Sequence, residues 1–331
     1  MTGSSVGSVE LIPRRRLELV SGRCHPNLAR DIAAHLGVEL GEANLREFSN
    51  GEIHCRYDIS IRGCDVFIVQ THGSPVNDSL MEHLIMIDAA KRASAKRITA
   101  VCPYYGYSRQ DRKSTGREPI TAKLVADMLS AAGADRVVSV DLHSGQIQGF
   151  FDTPFDHLTA GPVLEAYMQE HFGHDVVVVA PDAGRVKVAE RYSQHMGVEL
   201  ALIHKTRPRG SVNEVKARHV IGDVEGRRCV LIDDMIDTAG TICAAAELLA
   251  EAGASEIYAM ATHGVLSDPA VDRLKVAPIS RVVVTDTLPV ADDHSFDKLE
   301  ILSVSKIIAD AIDAVFEDTS VSELFGGDNL V

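Results

Sequence analysis

Hydrophobic residues along this chain follow two alternating patterns. Short runs rich in β-branched residues, such as DVFIVQ from Asp65 and DVVVVAP from Asp175, are typical of strands. Between them lie longer Ala- and Leu-rich stretches with helical spacing, such as DSLMEHLIMIDAAKRA from Asp78. Strands that alternate with helices predict parallel sheets flanked by helices, and strands that are almost entirely apolar indicate burial on both faces. The predicted fold class is therefore α/β.

Two segments, beginning at Asp65 and at Arg228, repeat one order of elements: strand, loop, long helix, short break and second strand. In a chain of 331 residues this repeat predicts two tandem domains of similar fold. We place the N-terminal domain at residues 17–158 and the C-terminal domain at residues 159–325. Residues 1–16 are polar and then basic, and we expect a disordered leader there. One long doubly wound domain is the alternative.

Composition and charge limit the classes of function. A net charge of −14 argues against general nucleic-acid binding, although a local basic cluster could still bind a small anion. No apolar run approaches the roughly 18 residues of a membrane span, and the N-terminus lacks the apolar core of a secretory signal. The six cysteines are scattered without a CxxC pair, which indicates reduced thiols. We expect a cytoplasmic protein without a membrane or nucleic-acid partner.

The segment CVLIDDMIDTAGT, residues 229–241, combines a phosphate-type turn with carboxylates. An apolar strand ends at Asp233, and Thr241 opens a helix whose N-terminal N–H groups can bind an anion. No Lys follows the turn, so it is not a Walker A loop. Asp233 and Asp234 cannot contact a phosphate, but they can accept hydrogen bonds from vicinal hydroxyls. The segment therefore favours ribose 5-phosphate, with a receiver-type acidic pocket as the alternative.

The same segment resembles the phosphoribosyl-diphosphate motif of phosphoribosyltransferases and ribose-phosphate pyrophosphokinases. Five further motifs follow the order of the pyrophosphokinases, and the resemblance covers about residues 17 to 325. They are FSNGE (48–52), PYYGYSRQDRK (103–113), VDLHSGQIQGFF (140–151), APDAG (180–184) and HKTRPR (204–209). The resemblance implies two phosphoribosyltransferase-like domains that make phosphoribosyl pyrophosphate and AMP from ATP and ribose 5-phosphate, with Mg²⁺.

The family resemblance also implies partners and leaves two rival functions to consider. It implies a homohexamer built from dimers and regulation by inorganic phosphate and ADP. A phosphoribosyltransferase is disfavoured because no nucleobase-specific region is legible and the second domain is complete. A non-catalytic regulatory homologue should lack part of the basic set Arg109, Gln110, Lys205 and Arg207, which this chain retains.

The basic segment of residues 103–113 has no hydrophobic periodicity and predicts a loop that closes over a polyphosphate. A solvated run of charge is the alternative. By resemblance, Arg109 stacks on adenine opposite Phe48, and further ATP contacts come from the two motifs that hold these residues. The implied ATP-binding residues are Phe48, Asn50, Gly51, Glu52, Arg109 and Gln110.

Two buried strands end in possible metal ligands, His143 in VVSVDLH and Asp182 in VVVVAPD. Because parallel strands direct their carboxyl ends at one crevice, His143 and Asp182 could hold one Mg²⁺ bridging ATP phosphates. A structural histidine is the alternative, since imidazole is an unusual ligand for a hard cation.

Lys205 and Arg207 lie two residues apart on an extended segment and therefore project on the same side. By resemblance, both stabilise the transition state of diphosphoryl transfer. The ribose 5-phosphate site implied by the family motif comprises Arg207, Asp233, Asp234, Asp237, Thr238, Ala239, Gly240 and Thr241. Ala239 and Arg185 stand where the family usually has glycine. Ala239 would be strained if its φ is positive, and Arg185 could narrow the diphosphate loop or add a phosphate contact.

Overall fold

The protein is described here by a computed structural model, which covers residues 15–206 and 217–325. Arg207, proposed from the sequence as catalytic, and most of the expected leader lie outside the described residues. Within those residues the chain forms two large sheets flanked by helices, and a separate hairpin. The predicted α/β class is confirmed.

The described part of the N-terminal half contains a six-stranded sheet, a hairpin and three α-helices. The strands are β1 (Leu17–Ser21), β2 (Leu40–Gly41), β3 (Ala43–Glu47), β4 (Ile53–Tyr57), β5 (Asp65–Val69), β6 (Arg97–Cys102), β7 (Arg136–Val140) and β8 (Phe155–Leu158). The helices are α1 (Pro26–Leu36), α2 (Val76–Arg92) and α3 (Thr121–Ala132). β3 and β4 pair antiparallel as the hairpin, and the other strands form a parallel sheet in the order β2-β1-β5-β6-β7-β8.

The C-terminal half contains a seven-stranded sheet in the part that the structure describes. Its strands are β9 (Val177–Ala180), β10 (Glu199–Thr206), β11 (Ala217–Ile221), β12 (Arg228–Ile236), β13 (Glu256–Gly264), β14 (Arg281–Thr285) and β15 (Leu299–Leu302). Its helices are α4 (Gly161–Phe172), α5 (Val186–Met196), α6 (Gly240–Glu251), α7 (Ala270–Val276) and α8 (Ser305–Phe316). The order is β11-β10-β9-β12-β13-β14-β15, and only the edge strand β11 runs antiparallel to its neighbour.

Burial follows the hydrophobic pattern that predicted these elements. Every residue of β5 and every residue of β9 is buried, because helices cover both faces of each sheet. Helix α1 begins at a proline and ends before Gly37, whose φ of 66° allows the left-handed cap. None of the helices in the described ranges has the length and apolar character needed to cross a membrane.

The last helix, α8, packs on the first sheet although the sequence pattern assigned it to the second domain. Ile308, Ile312 and Val315 of α8 share one buried cluster with Leu19 and Leu28. An amphipathic period shows that a helix buries one face but not which sheet receives that face. The exact domain limits stay a prediction.

Ion pairs join both described ends of the chain to the first sheet. Arg15, which we assigned to the leader, pairs with Asp318 at 2.8 Å and with buried Asp65 at 3.5 Å. Arg97 of β6 pairs with the same two carboxylates, at 2.6 Å for Asp65 and 2.8 Å for Asp318. The segment after α8 is therefore anchored beside the first described residues.

The carboxyl ends of the two sheets meet in one crevice. Thr262 near the end of β13 donates its hydroxyl to the Asp141 carboxylate just after β7, at 2.6 Å. His263 donates its Nε2–H to the Asp141 carbonyl at 2.9 Å. The Thr71 hydroxyl in turn donates to the Thr287 carbonyl at 2.7 Å. These buried contacts fix where the ends of the strands lie relative to one another.

Candidate active site

One cavity of about 230 Å³ collects most of the residues that the sequence singled out on the second sheet. The acidic strand β12 and the turn after it form one side, and the loops after β7 and β9 form the other. The strand continues to Ile236, three residues beyond the end predicted from the sequence. The predicted residues that line this cavity are Arg109, His143, Asp182, Asp233, Asp234, Asp237, Thr238, Ala239, Gly240 and Thr241.

The start of α6 forms the anion-binding side of this cavity. No side chain caps the N-terminus of α6, so its first N–H groups are open to a ligand. Ala239 precedes the helix with φ of 58° and ψ of 4°, which is the left-handed conformation. The glycine that the family usually has at this position had suggested a positive φ. Arg273 holds the turn from outside by donating to the Thr238 carbonyl at 2.9 Å.

Arg185 pairs with both adjacent carboxylates of β12, Asp233 and Asp234. Its Nε lies 2.8 Å from Asp233 Oδ1, and its Nη2 lies 2.6 Å from Asp234 Oδ1. Asp234 Oδ2 contacts His143 Nδ1 at 2.6 Å, and the Asp234 amide donates to Asp233 Oδ1 at 2.8 Å. Three of the four carboxylate oxygens therefore accept hydrogen bonds from the protein itself. The sequence did not foresee this arrangement.

The two carboxyl groups have opposite protonation tendencies. Burial and the neighbouring Asp234 raise the pKa of Asp233 above its usual range, against the effect of Arg185. Burial would also raise the pKa of Asp234, but the hydrogen bond from His143 and the charge of Arg185 outweigh it and lower that pKa. Adjacent buried acids titrate as a pair, so the Asp234 side carries the negative charge first.

His143 and Asp182 fit a cation site by their chemistry. His143 Nδ1 lies 2.6 Å from Asp234 Oδ2 and 3.0 Å from Arg185 Nη2. Because an ionised carboxylate can only accept a hydrogen bond, the Nδ1 proton points to Asp234 rather than to the guanidinium. The lone pair then lies on Nε2, which is the usual arrangement of a metal-ligating imidazole held by a carboxylate. Asp182 accepts the Gly184 amide at 2.9 Å through one oxygen, Oδ1. Both residues line the cavity of about 230 Å³.

A larger cavity of about 870 Å³ lies on the other side of the loop of residues 103–113. Arg109 and Asp237 line both cavities and form an ion pair at 2.7 Å. Gln110 lines the larger one, beside the start of α2. The basic loop thus lies between the phosphate turn and a space large enough for a nucleotide.

The FSNGE motif lies at the tip of the β3–β4 hairpin, away from both cavities. The Phe48 amide donates to the Glu52 carbonyl at 2.9 Å, which closes the turn that holds Asn50 and Gly51. The Phe48 ring is 49% exposed and contacts the His54 ring edge to face. None of the four predicted ATP contacts from this motif lines either cavity. Their role in ATP binding therefore stays a prediction.

The basic motif at the end of β10 is only partly described. Lys205 is the penultimate residue of β10, and its backbone pairs with the edge strand β11 beyond the end of the β9 pairing. Arg207 follows the strand and lies outside the described residues.

Sequence reasoning also missed the residues that hold the His143 loop. Asp141 has φ of 36° and is held by Thr262 and His263 of β13, as described above. The Leu142 amide donates to His157 Nε2 at 2.8 Å. The sequence does show that Thr262 and His263 are polar residues at the end of the apolar strand YAMATHG. It does not show that their hydrogen-bonding partner is Asp141, which follows a strand of the other sheet.

Comparisons with known proteins agree with this geometry. Residues 17–133 match the family model for the N-terminal domain of ribose phosphate pyrophosphokinase, and residues 208–326 match the phosphoribosyl synthetase-associated domain. The chain is 55% identical to a ribose-phosphate pyrophosphokinase of Bifidobacterium longum over 317 residues, 95% of this chain and 93% of that protein. It is 53% identical to one of Mycobacterium tuberculosis, covering 95% of this chain and 97% of that protein.

A solved structure is similar over almost the whole fold. The phosphoribosylpyrophosphate synthetase from Mycobacterium smegmatis superposes with a TM-score of 0.87 at 53% identity. The match covers 92% of this chain and 100% of that one.

Proposed function

Because the chain belongs to the family of ribose-phosphate pyrophosphokinases, we propose that its crevice transfers the β,γ-diphosphoryl group of ATP to the 1-hydroxyl of ribose 5-phosphate. The chain is a catalytic synthetase rather than a regulatory homologue. The observation that carries the assignment of the site is the single cavity in which an uncapped helix start faces a carboxylate pair. This combination suits a molecule with one phosphate and vicinal hydroxyls.

Ribose 5-phosphate binds with its phosphate at the start of α6 and its hydroxyls toward Asp233 and Asp234. The open N–H groups of residues 239–241 supply donors for the phosphate, and the helix dipole favours its charge. Hydroxyl donors need carboxylate oxygens, but Arg185 already holds two of the four. Sugar hydroxyls can bind the remaining carboxylate oxygens or compete with Arg185 for the two that it holds.

ATP lies across the loop that separates the two cavities. Arg109 and Gln110 provide donors at that loop, while Asp237 at present holds Arg109 through an ion pair. If phosphate oxygens of ATP replaced Asp237 as the partner of Arg109, ATP binding would be linked to the turn that holds Asp237. Phe48, Asn50, Gly51 and Glu52 lie too far along the hairpin to line this space, so we propose that they reach ATP bound to another copy.

Magnesium is the cofactor that we propose, held by His143 and Asp182. When bound, Mg²⁺ neutralises charge on ATP phosphate oxygens. Asp234 fixes the proton of His143 on Nδ1 and leaves Nε2 as the ligand atom.

Transfer forms a bond between the ribose O1 atom and the β-phosphorus of ATP and breaks the bond from that phosphorus to the oxygen bridging the α- and β-phosphates. AMP leaves with the bridging oxygen, and the proton of the 1-hydroxyl passes to solvent water. Lys205 and Arg207 stabilise the charge on the transferred phosphoryl oxygens, a role that suits a point charge beside a forked guanidinium. We also propose a homohexamer regulated by phosphate and ADP. A stable monomer in light scattering would contradict the assembly, and phosphate-independent kinetics would contradict the regulation.

The decisive experiment is AMP formation from ATP with and without ribose 5-phosphate, in Mg²⁺ and phosphate buffer. We expect AMP only when ribose 5-phosphate is present, because the acceptor hydroxyl is needed for the phosphorus–oxygen bond to break. AMP release without the sugar would indicate a hydrolase. No AMP from folded protein would contradict the proposed reaction and would direct attention to Arg185 and Ala239.

A further inference from the structure

Three side chains that could bind a metal meet in the interior of the first domain, beside the larger cavity, which His72 helps to line. His72 Nε2 lies 3.2 Å from His83 Nδ1, and Cys102 Sγ lies 3.8 Å from the same nitrogen. All three residues are buried. Two imidazoles and a thiol at these separations are a plausible set for a soft cation such as Zn²⁺.

The proton positions in this cluster oppose a metal. The amide of Gly106 donates to His72 Nδ1 at 3.0 Å, so this nitrogen contributes its lone pair. A neutral imidazole carries one proton, which must then lie on Nε2 and point to His83 Nδ1. Nε2 has no lone pair left for a cation. The cluster is therefore a directed chain of hydrogen bonds from Gly106 through His72 to His83.

This chain begins in the basic loop of residues 103–113. Besides the Gly106 contact, the His72 amide donates to the Tyr104 carbonyl at 3.1 Å, and the Tyr104 amide donates to the Thr71 hydroxyl at 3.1 Å. A Cβ at Gly106 would lie 2.8 Å from the Cβ of His72, so the loop backbone approaches the histidine as closely as glycine allows. Thr71 and His72 thus hold the base of the loop through three hydrogen bonds.

We propose that His72 is a positioning residue that sets the base of the loop carrying Arg109 and Gln110. Its fully buried side chain acts by holding Gly106 through Nδ1. This inference rests on the proposed function, because it assigns Arg109 and Gln110 to ATP. His83 supports it by accepting the His72 Nε2–H, which keeps the lone pair on the side of Gly106.

The neutral state that this role requires is also the stable one. Burial lowers the pKa of His72 to about 4 and lowers the pKa of His83 as well. The pair therefore stays uncharged near neutral pH, and the direction of its hydrogen bonds is fixed by the Gly106 amide. Loss of the acceptor would leave the buried Gly106 amide unpaired, which destabilises the base of the loop.

Two variants of similar size separate hydrogen bonding from packing. In His72→Asn the side-chain oxygen can replace Nδ1 as the acceptor, whereas His72→Leu fills the space without an acceptor. For His72→Leu we expect kcat/KM for ATP to fall about tenfold or more, by analogy with the loss of a buried hydrogen bond. Binding of ribose 5-phosphate, measured by calorimetry without ATP, should be unchanged. His72→Asn should recover most of the loss.

Trypsin gives a measure of the loop that does not depend on activity. Arg109, Arg112 and Lys113 are exposed, so cleavage after them reports how firmly the base of the loop is held. We expect faster cleavage in His72→Leu than in the wild type or His72→Asn. If His72→Leu does not fold, His83→Leu removes the next acceptor in the chain and should show a smaller change in the same direction.

The outcomes distinguish the inference from its rivals. Equal cleavage rates and equal kinetics for ATP in the Leu and Asn variants would overturn the positioning role. One equivalent of zinc in the purified wild type, lost in His72→Leu, would show a metal site instead. If the wild type makes no AMP, the proposed function fails, but the cleavage comparison still tests whether His72 holds the loop.

Discussion

Replacement of Ala239 by glycine tests the conformation of the phosphate turn. Ala239 has φ of 58°, a region in which an L-residue with a Cβ is disfavoured by roughly 1–2 kcal/mol. Glycine removes this cost. The substitution also removes the methyl group of a residue that is only 4% exposed, which costs about 0.8 kcal/mol. Glycine raises the conformational entropy of the unfolded chain, which lowers the free energy of unfolding by about 0.4–1 kcal/mol more. These effects nearly cancel, so we expect a free energy of unfolding within about 1 kcal/mol of the wild type.

Ala252 at the other end of α6 provides a matched control. Its φ is −80°, so replacement by glycine relieves no strain and should lower the free energy of unfolding by about 0.5–1 kcal/mol. Urea unfolding of both variants and the wild type measures the difference. Ala239→Gly should be the more stable variant by up to about 1 kcal/mol, with unchanged ribose 5-phosphate affinity because the backbone N–H groups remain. If Ala239→Gly loses more than about 1 kcal/mol, relief of strain does not offset the lost methyl group, and the turn is not left-handed.

Three other substitutions address the chemistry and the chain ends. Lys205→Ala should lower turnover far more than ATP binding, because Lys205 acts in the transition state; near-normal turnover with a raised KM would contradict this. Asp233→Asn should mainly raise the KM for ribose 5-phosphate, and an unchanged dependence on the sugar would remove Asp233 from the site. Arg97 and Arg15 lower the pKa of Asp318 to about 2, so their stabilisation is present above about pH 4 and is lost as the pH falls through about 2. Asp318→Asn should therefore be less stable than the wild type in urea at about pH 6, and the difference should narrow at about pH 3.

The fold could be predicted from the sequence wherever burial on both faces decides the element. The all-apolar runs that became β5 and β9 could only be central parallel strands, and the helical stretches between them could only cover the sheet. Helix α8 shows the limit of such reasoning. Its apolar face is clear from the sequence, yet the first sheet rather than the nearer second sheet receives it. That choice depends on the complementarity of two surfaces, which hydrophobic spacing does not encode.

The candidate site could be predicted for a similar reason. Residues at the carboxyl ends of parallel strands reach one crevice whatever loops they occupy, so His143, Asp182 and Asp233 line one cavity. The FSNGE motif does not follow this rule because Phe48 lies on a hairpin that is paired to neither large sheet.

Arg185 shows why a departure from a family pattern needs the structure to be interpreted. From the sequence, an arginine after PDAG could narrow the diphosphate loop or add a phosphate contact. Its guanidinium instead pairs with Asp233 and Asp234, on the far side of the cavity. Two adjacent carboxylates buried together need a compensating charge, and a side chain only 15% exposed supplies it. The departure therefore bears on the carboxylate side of the cavity, where an internal cation already pairs with both acids.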